Sequence, residues 1–163
     1  MIVTVDKSVL QARLEVVAAG VAKNPTMPIM GTVLLRASDG YVQLASHRPG
    51  GQIHASLDAS VEKPGALCVD AKRLLPIVKA MPPGLLELTS QAGEGGALRI
   101  KIQSGQSKAE IAAMNADDFP RVVSAGQADK VRISSLALAM LIEKTVAAAA
   151  DATTAPSKAG VEL

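Results

Sequence analysis

The sequence predicts an α+β fold of two tandem strand-helix-three-strand units, with antiparallel sheets on the outside and two helices on one face, followed by a partial third unit. Three observations carry that prediction. Short runs of apolar residues alternate with polar ones, as half-buried strands do. Each of three such runs ends on a residue able to cap a helix, followed by apolar residues at helical spacing. The caps Asp6, Asp70 and Ser134 lie 64 residues apart, so the pattern is an internal repeat.

The first unit opens with Val3-Thr4-Val5-Asp6, in which Asp6 caps a helix over Lys7–Ala19 with Leu10, Leu14, Val17 and Val21 on one stripe. Three strands follow, Thr32–Arg36, Tyr41–Ala45 and Gln52–Leu57, separated by the turn sequences Ser38-Asp39-Gly40 and Pro49-Gly50-Gly51. The second unit repeats this grammar. Leu67-Cys68-Val69-Asp70 precedes a helix over Ala71–Met81, then come Leu85–Thr89, Ala97–Gln103 and Ala109–Met114, with turns at Gly93–Gly96 and Ser104-Gly105. Pro76 lies inside that helix, where a missing amide and a steric clash predict a kink or a late start near Leu75. Strands consecutive in sequence and joined by short turns argue an antiparallel sheet with the helices on one face. The third unit reads Val131-Arg132-Ile133-Ser134, a helix over Ser135–Ala150, and the start of a strand at Gly160–Leu163. A helix and two strand stubs cannot bury their own apolar faces. The expected organisation is therefore one domain over 1–125, made of units 1–63 and 64–125, a linker within Ser124–Ala128, and the incomplete start of a second domain over 129–163.

Composition excludes several classes of function. Of the 163 residues 48% are hydrophobic but only 1% aromatic, namely Tyr41 and Phe119, too few for a platform that stacks single-stranded bases. One cysteine, Cys68, excludes a disulfide framework, and two histidines, His47 and His54, are too few for most transition-metal sites. No metal or other cofactor is expected. Seventeen basic residues against fifteen acidic ones give a net charge of +2, evenly spread, with no basic arm and no acidic tail. The first residues alternate rather than following the order of a signal peptide, and Leu136–Ala150 is too short to span a bilayer, so a cytoplasmic location without membrane contact is expected. An enzyme is not expected: no nucleophile elbow, zinc-protease or phosphate-loop pattern occurs, and Gly93-Glu94-Gly95-Gly96 is followed by strand residues rather than a helix. Asp117-Asp118 reads as an exposed acidic loop.

Local motifs within the repeat resemble one family. Asn24-Pro25-Thr26-Met27-Pro28-Ile29-Met30-Gly31, Asp70-Ala71-Lys72-Arg73-Leu74-Leu75 and Asn115-Ala116-Asp117-Asp118-Phe119-Pro120 are similar to segments of the bacterial sliding clamp, the beta subunit of DNA polymerase III. The resemblance covers the first domain of a clamp and about the first third of its second, with the third absent. It implies the DNA-clamp fold and a processivity role. Two copies would form a head-to-tail ring with helices lining a hole that encircles double-stranded DNA, tethering the replicative DNA polymerase. Such a protein holds phosphates through water without reading bases, which suits a chain nearly free of aromatic residues.

Carried over residue by residue, the resemblance implies DNA contacts at Lys23 and Asn24, at Lys7, Gln11 and Arg13 on the first helix, at Lys72, Arg73 and Lys79 on the second, and at Lys144 on the third. It implies a dimer edge formed by Arg73, Ile77 and the strand residues Lys108, Ala109, Glu110 and Ile111. For that strand the backbone edge is the expected contact, its alternating side chains reading as a core face. Two segments depart from the family pattern, His47-Arg48-Pro49-Gly50-Gly51 and the stretch from Ala155 to Leu163. The pocket that receives the polymerase and the clamp loader is built in the family between the second and third domains, so the resemblance leaves it outside this chain. The alternative expectation is a truncated clamp-like module that pairs with or modulates a full-length clamp.

Overall fold

The computed structural model describes residues 1–22, 25–48, 51–93, 97–121 and 132–149. It divides into two compact units, Met1–Val123 and Ser124–Leu163.

In the first unit β1 (Ile2–Asp6) leads directly into α1 (Lys7–Ala18), because the Asp6 carboxylate accepts the amides of Ser8 and Val9 at 2.8 and 3.1 Å. After a 3-10 turn at Pro28–Gly31 come β2 (Thr32–Ser38), β3 (Tyr41–Arg48), β4 (Gly51–Asp58) and β5 (Ser60–Lys63). The pattern then restarts with β6 (Gly65–Asp70), α2 (Ala71–Ala80), β7 (Leu85–Ala92), β8 (Leu98–Ser104) and β9 (Ser107–Asn115). Asp70 caps α2 as Asp6 caps α1, accepting the Lys72 amide at 2.7 Å. Positive φ at both Asp39 and Gly40 turns β2 into β3, the geometry a two-residue hairpin demands.

Every strand pairing is antiparallel, in the order β4-β3-β2-β6-β9-β8-β7-β1-β5. The two sequence-repeat halves of this first unit exchange their first strands: β1 joins the strands of the second half through β7, and β6 joins those of the first half through β2. Strand β9 uses its first part to pair with β8 and its end, Ala113–Asn115, to pair with β6. Strands β4 and β5 divide their work the same way. Only Ala59 separates them, β4 pairing with β3 and β5 with β1, so the two ends of the strand order are contiguous in the chain.

The 64-residue offset extends from the caps into the core. Val3 and Val5 are matched by Leu67 and Val69, and Leu10, Leu14 and Val17 by Leu74, Val78 and Met81, all buried in one cluster between the helices and the strands. A smaller cluster of Leu34, Ala45, Cys68 and Phe119 forms separately, with Ile29, Ala66 and Ala116 packed against it. Phe119 of the Asp-Phe-Pro segment thus anchors the chain after β9.

Several sequence expectations need correction. β5 went unforeseen. His47 and Arg48 continue β3 and Gly51 begins β4, in register through Arg48↔Gly51, so the departure at His47–Gly51 leaves that strand pair regular. α2 starts at Ala71 and runs through Pro76, so it does not start late. In the second unit α3 (Ser135–Val146) is capped by Ser134, whose hydroxyl accepts the Ala137 amide at 3.1 Å, and it ends short of Ala150. Arg132–Ser134 form no strand, since among the described residues they have no pairing partner. The expected strand at Gly160–Leu163 lies outside the described residues.

Candidate nucleic-acid interface

α1 and α2 pack side by side and antiparallel. Ala18 at the C-terminal end of α1, with Val21 just beyond it, borders a cleft with Ala71, Leu75 and Pro76 of α2, while the N-terminal end of α1 lies beside Pro83 and Gly84, beyond the end of α2. Both helices turn Leu10, Leu14, Leu74 and Val78 onto the strands. Their other faces are left to solvent, and these carry the candidate DNA contacts.

On α1, Arg13 is exposed, whereas Lys7 and Gln11 are half-buried. Lys7 opens the helix with its amide donating to the Gly84 carbonyl at 2.9 Å, and Gln11 donates to Glu15 at 3.2 Å. On α2, Lys72, Arg73 and Lys79 are exposed. Lys79 does not project alone: its Nζ lies 3.0 Å from Glu15 Oε1, joining the two helices. The hydrogen bond from Lys79, with a second from Gln11, holds the Glu15 carboxyl below the usual carboxylate range. Two basic residues on α1 and three on α2 thus face a single acidic residue within the helices, Glu15. Lys144 is exposed on α3, in the other unit. Lys23 and Asn24 lie outside the described residues.

The arrangement suits loose attraction of a polyanion. Flexible, solvated cations on a helix pair attract phosphates through long-range, salt-sensitive Coulomb forces without reading sequence. Covalent catalysis finds little support here. Cys68 is fully buried, and burial pushes its thiol up to about 11 against a weaker opposing hydrogen bond from Thr32, so it is not a nucleophile at neutral pH. Among the described residues no three His, Cys, Asp or Glu side chains gather as a metal site. No helix among them is long and apolar enough to cross a membrane.

At the expected dimer edge, Arg73 is exposed and Ile77 half-buried against the core, on the helix that packs against β9. Ile111 is 4% exposed and belongs to the core cluster, with Ala109 packed against it, so in that strand it is the backbone that can reach a partner. Glu110 is held by Arg99 at 3.3 Å and Lys108 is exposed. Among the described residues Ser107–Ala112 pair on one side only, with β8. Gly51–Asp58 of β4 likewise pair only with β3. This second open edge was missed, although the repeat contained the signal, because β4 and β9 occupy equivalent places in the two halves.

The family model for the DNA polymerase III beta subunit N-terminal domain matches residues 1–124. The chain belongs to the DNA polymerase III beta subunit family. It is 28% identical over 145 residues to the beta sliding clamp of Caulobacter vibrioides, an alignment covering 89% of this chain and 38% of that one. Against the Escherichia coli K12 beta sliding clamp the identity is 29% over 124 residues, 73% of this chain and 32% of the relative. A Vibrio harveyi beta sliding clamp sequence is 26% identical over 144 residues, 87% of this chain and 96% of that sequence. The solved Caulobacter crescentus sliding clamp superposes with a TM-score of 0.83 at 27% identity, covering 92% of this chain and 40% of that one. The Bacillus subtilis clamp, 23% identical with a TM-score of 0.87, shares the fold. This chain therefore spans well under half the length of the Caulobacter and E. coli relatives and of the solved clamps.

Proposed function

We propose that this chain acts as the N-terminal part of a DNA polymerase processivity factor, a non-catalytic element of a ring that encircles duplex DNA and tethers the replicative polymerase. The supporting observation is the paired helix face of α1 and α2, which presents Arg13, Lys72 and Arg73 to solvent on a fold matched by sliding clamps. On this reading residues 1–125 are the first clamp domain and 129–163 open a second. Lys23 and Asn24 before Pro25, together with Lys7, Gln11, Lys79 and Lys144, complete the phosphate-facing set. Arg73, Ile77 and the β9 backbone edge at Lys108–Ile111 meet the neighbouring subunit of a head-to-tail dimer. A clamp loader and the polymerase are the remaining partners.

The test is binding to duplex DNA across a salt series. An Arg73→Ala variant is expected to weaken binding equally for unrelated sequences and to flatten the dependence of log affinity on log salt by about 0.9. Binding that survives unchanged at low salt, or that discriminates between sequences, would defeat the proposal. The half-open β9 edge also favours a second reading, a module that pairs with a full-length clamp. Native mass with and without a full-length clamp separates the two, since only the module forms stable mixed assemblies with it.

A further inference from the structure

Two histidines in the whole chain argue against a transition-metal site when they are only counted, but the register of β3 and β4 brings both to one place. His47 pairs with Gln52 and Ala45 with His54, so His47, Gln52 and His54 lie on one face of adjacent strands, the two imidazoles on a diagonal. Diagonal side chains of that length reach each other across an antiparallel pair. Both rings also aim at a single group. His47 Nδ1 lies 2.9 Å from the Gln52 side-chain nitrogen, and His54 Nε2 lies 3.3 Å from the Gln52 side-chain oxygen. The three side chains and Gly51 line a surface recess of about 360 Å³.

We propose that His47 and His54 together bind one divalent transition-metal ion, of the zinc, nickel or copper class, on the outer surface of the first unit. Imidazole nitrogens suit these ions, and the two rings already converge on the Gln52 amide. Closing on an ion about 2.0–2.1 Å from each nitrogen requires that amide to yield, with its oxygen or water completing the coordination. The same amide nitrogen also donates to the Arg121 carbonyl, at 3.0 Å, so an entering ion competes with that bond as well as with the two ring contacts. No acidic side chain lines the recess, so calcium and magnesium, which take oxygen ligands, are poor occupants.

The experiment is calorimetric titration of the tag-free 163-residue chain with zinc chloride, repeated with nickel chloride. One ion per chain is expected to bind at pH 7.5. His47→Ala and His54→Ala should each weaken binding at least tenfold, while Gln52→Ala retains or strengthens it. His54 is exposed, so His54→Ala is the variant least able to disturb folding, and a thermal melt of each variant checks that it folds. Cobalt(II) absorption supplies a second readout, since nitrogen coordination alters the visible spectrum of the bound ion. No saturable binding at pH 7.5, or binding that survives both histidine substitutions, would overturn the proposal.

Discussion

α1 and α2 occupy equivalent places in the two halves of the first unit, and they are alike where they face the strands and unlike where they face solvent. Leu10 and Leu74, Leu14 and Val78, and Val17 and Met81 are core residues at the same register. At the outward positions Val9, 42% exposed, is matched by Arg73 and Glu15 by Lys79, while exposed Arg13 is matched by Ile77, which is half-buried against the core. Packing against a sheet admits few side chains at a given place, so the core repeats, whereas solvent leaves the other face free to diverge. The repeat is thus a guide to the fold and a poor guide to the site. The divergence has a use: with Glu15 opposite Lys79, the two non-identical helices carry their own cross-link.

The largest effects test the shared core. Leu10 and Leu74 are both essentially fully buried. Leu10→Ala and Leu74→Ala should each lower unfolding free energy by about 2–5 kcal/mol, from lost burial plus the cavity left behind. Urea denaturation measures this, with the slope expected to stay constant. A cost at Leu74 below half that at Leu10 would break the equivalence of the two halves.

Gly20 and Gly84 are also 64 residues apart, and each must be glycine for a different reason. A Cβ on Gly20 would lie 2.6 Å from the Ser46 hydroxyl and 2.7 Å from Ile53 Cδ1, a place already filled. A Cβ on Gly84 would meet nothing within 4 Å, but its φ of +114° is one that side-chain-bearing residues rarely adopt. Either glycine replaced by alanine should cost about 1–3 kcal/mol, by overpacking at Gly20 and by backbone strain at Gly84. Ile53→Val separates the causes. It removes the Cδ1 that obstructs Gly20→Ala and should recover part of that loss, while leaving Gly84→Ala unrelieved. Equal recovery in both would refute the distinction.

What was legible in the sequence follows the same division. Alternation, caps and helical spacing are local signals, and they placed α1, α2 and all the long strands within a few residues. β5 was illegible because it continues β4 past Ala59, and its partner β1 lies some sixty residues away in the chain. The exchange of first strands between the two halves of the first unit and the Glu15–Lys79 contact depend on register between distant segments, which no local pattern records, while the convergence of His47 with His54 rests on the register of β3 against β4. At the candidate site the cations themselves were legible, but Lys79 could not be seen to be engaged by Glu15. Ile111 could be read as core because it alternates with outward residues along β9.

The smallest expected effect probes the ion pair of Glu15 with Lys79, which joins the two helices. Glu15 and Lys79 are each about half exposed, at 44% and 50% of the side chain, so their bond contributes modestly to folding. The Glu15 carboxyl is held below its unfolded value of about 4.5, chiefly by Lys79, so its contribution is fully present above that value and is lost as pH falls through the lower folded value. Urea melts of the wild type and of Lys79→Met should therefore differ at pH 7 and converge in acid as the Glu15 carboxyl protonates. A difference that persists in acid would assign the effect to packing of the lysine stem. For DNA the sign reverses. Glu15→Gln keeps the shape of the side chain and frees Lys79 from its partner, so duplex affinity should rise and its salt dependence steepen by up to about 0.9. If Glu15→Gln leaves both unchanged while Arg73→Ala lowers them, Lys79 is a link between helices and not a phosphate contact.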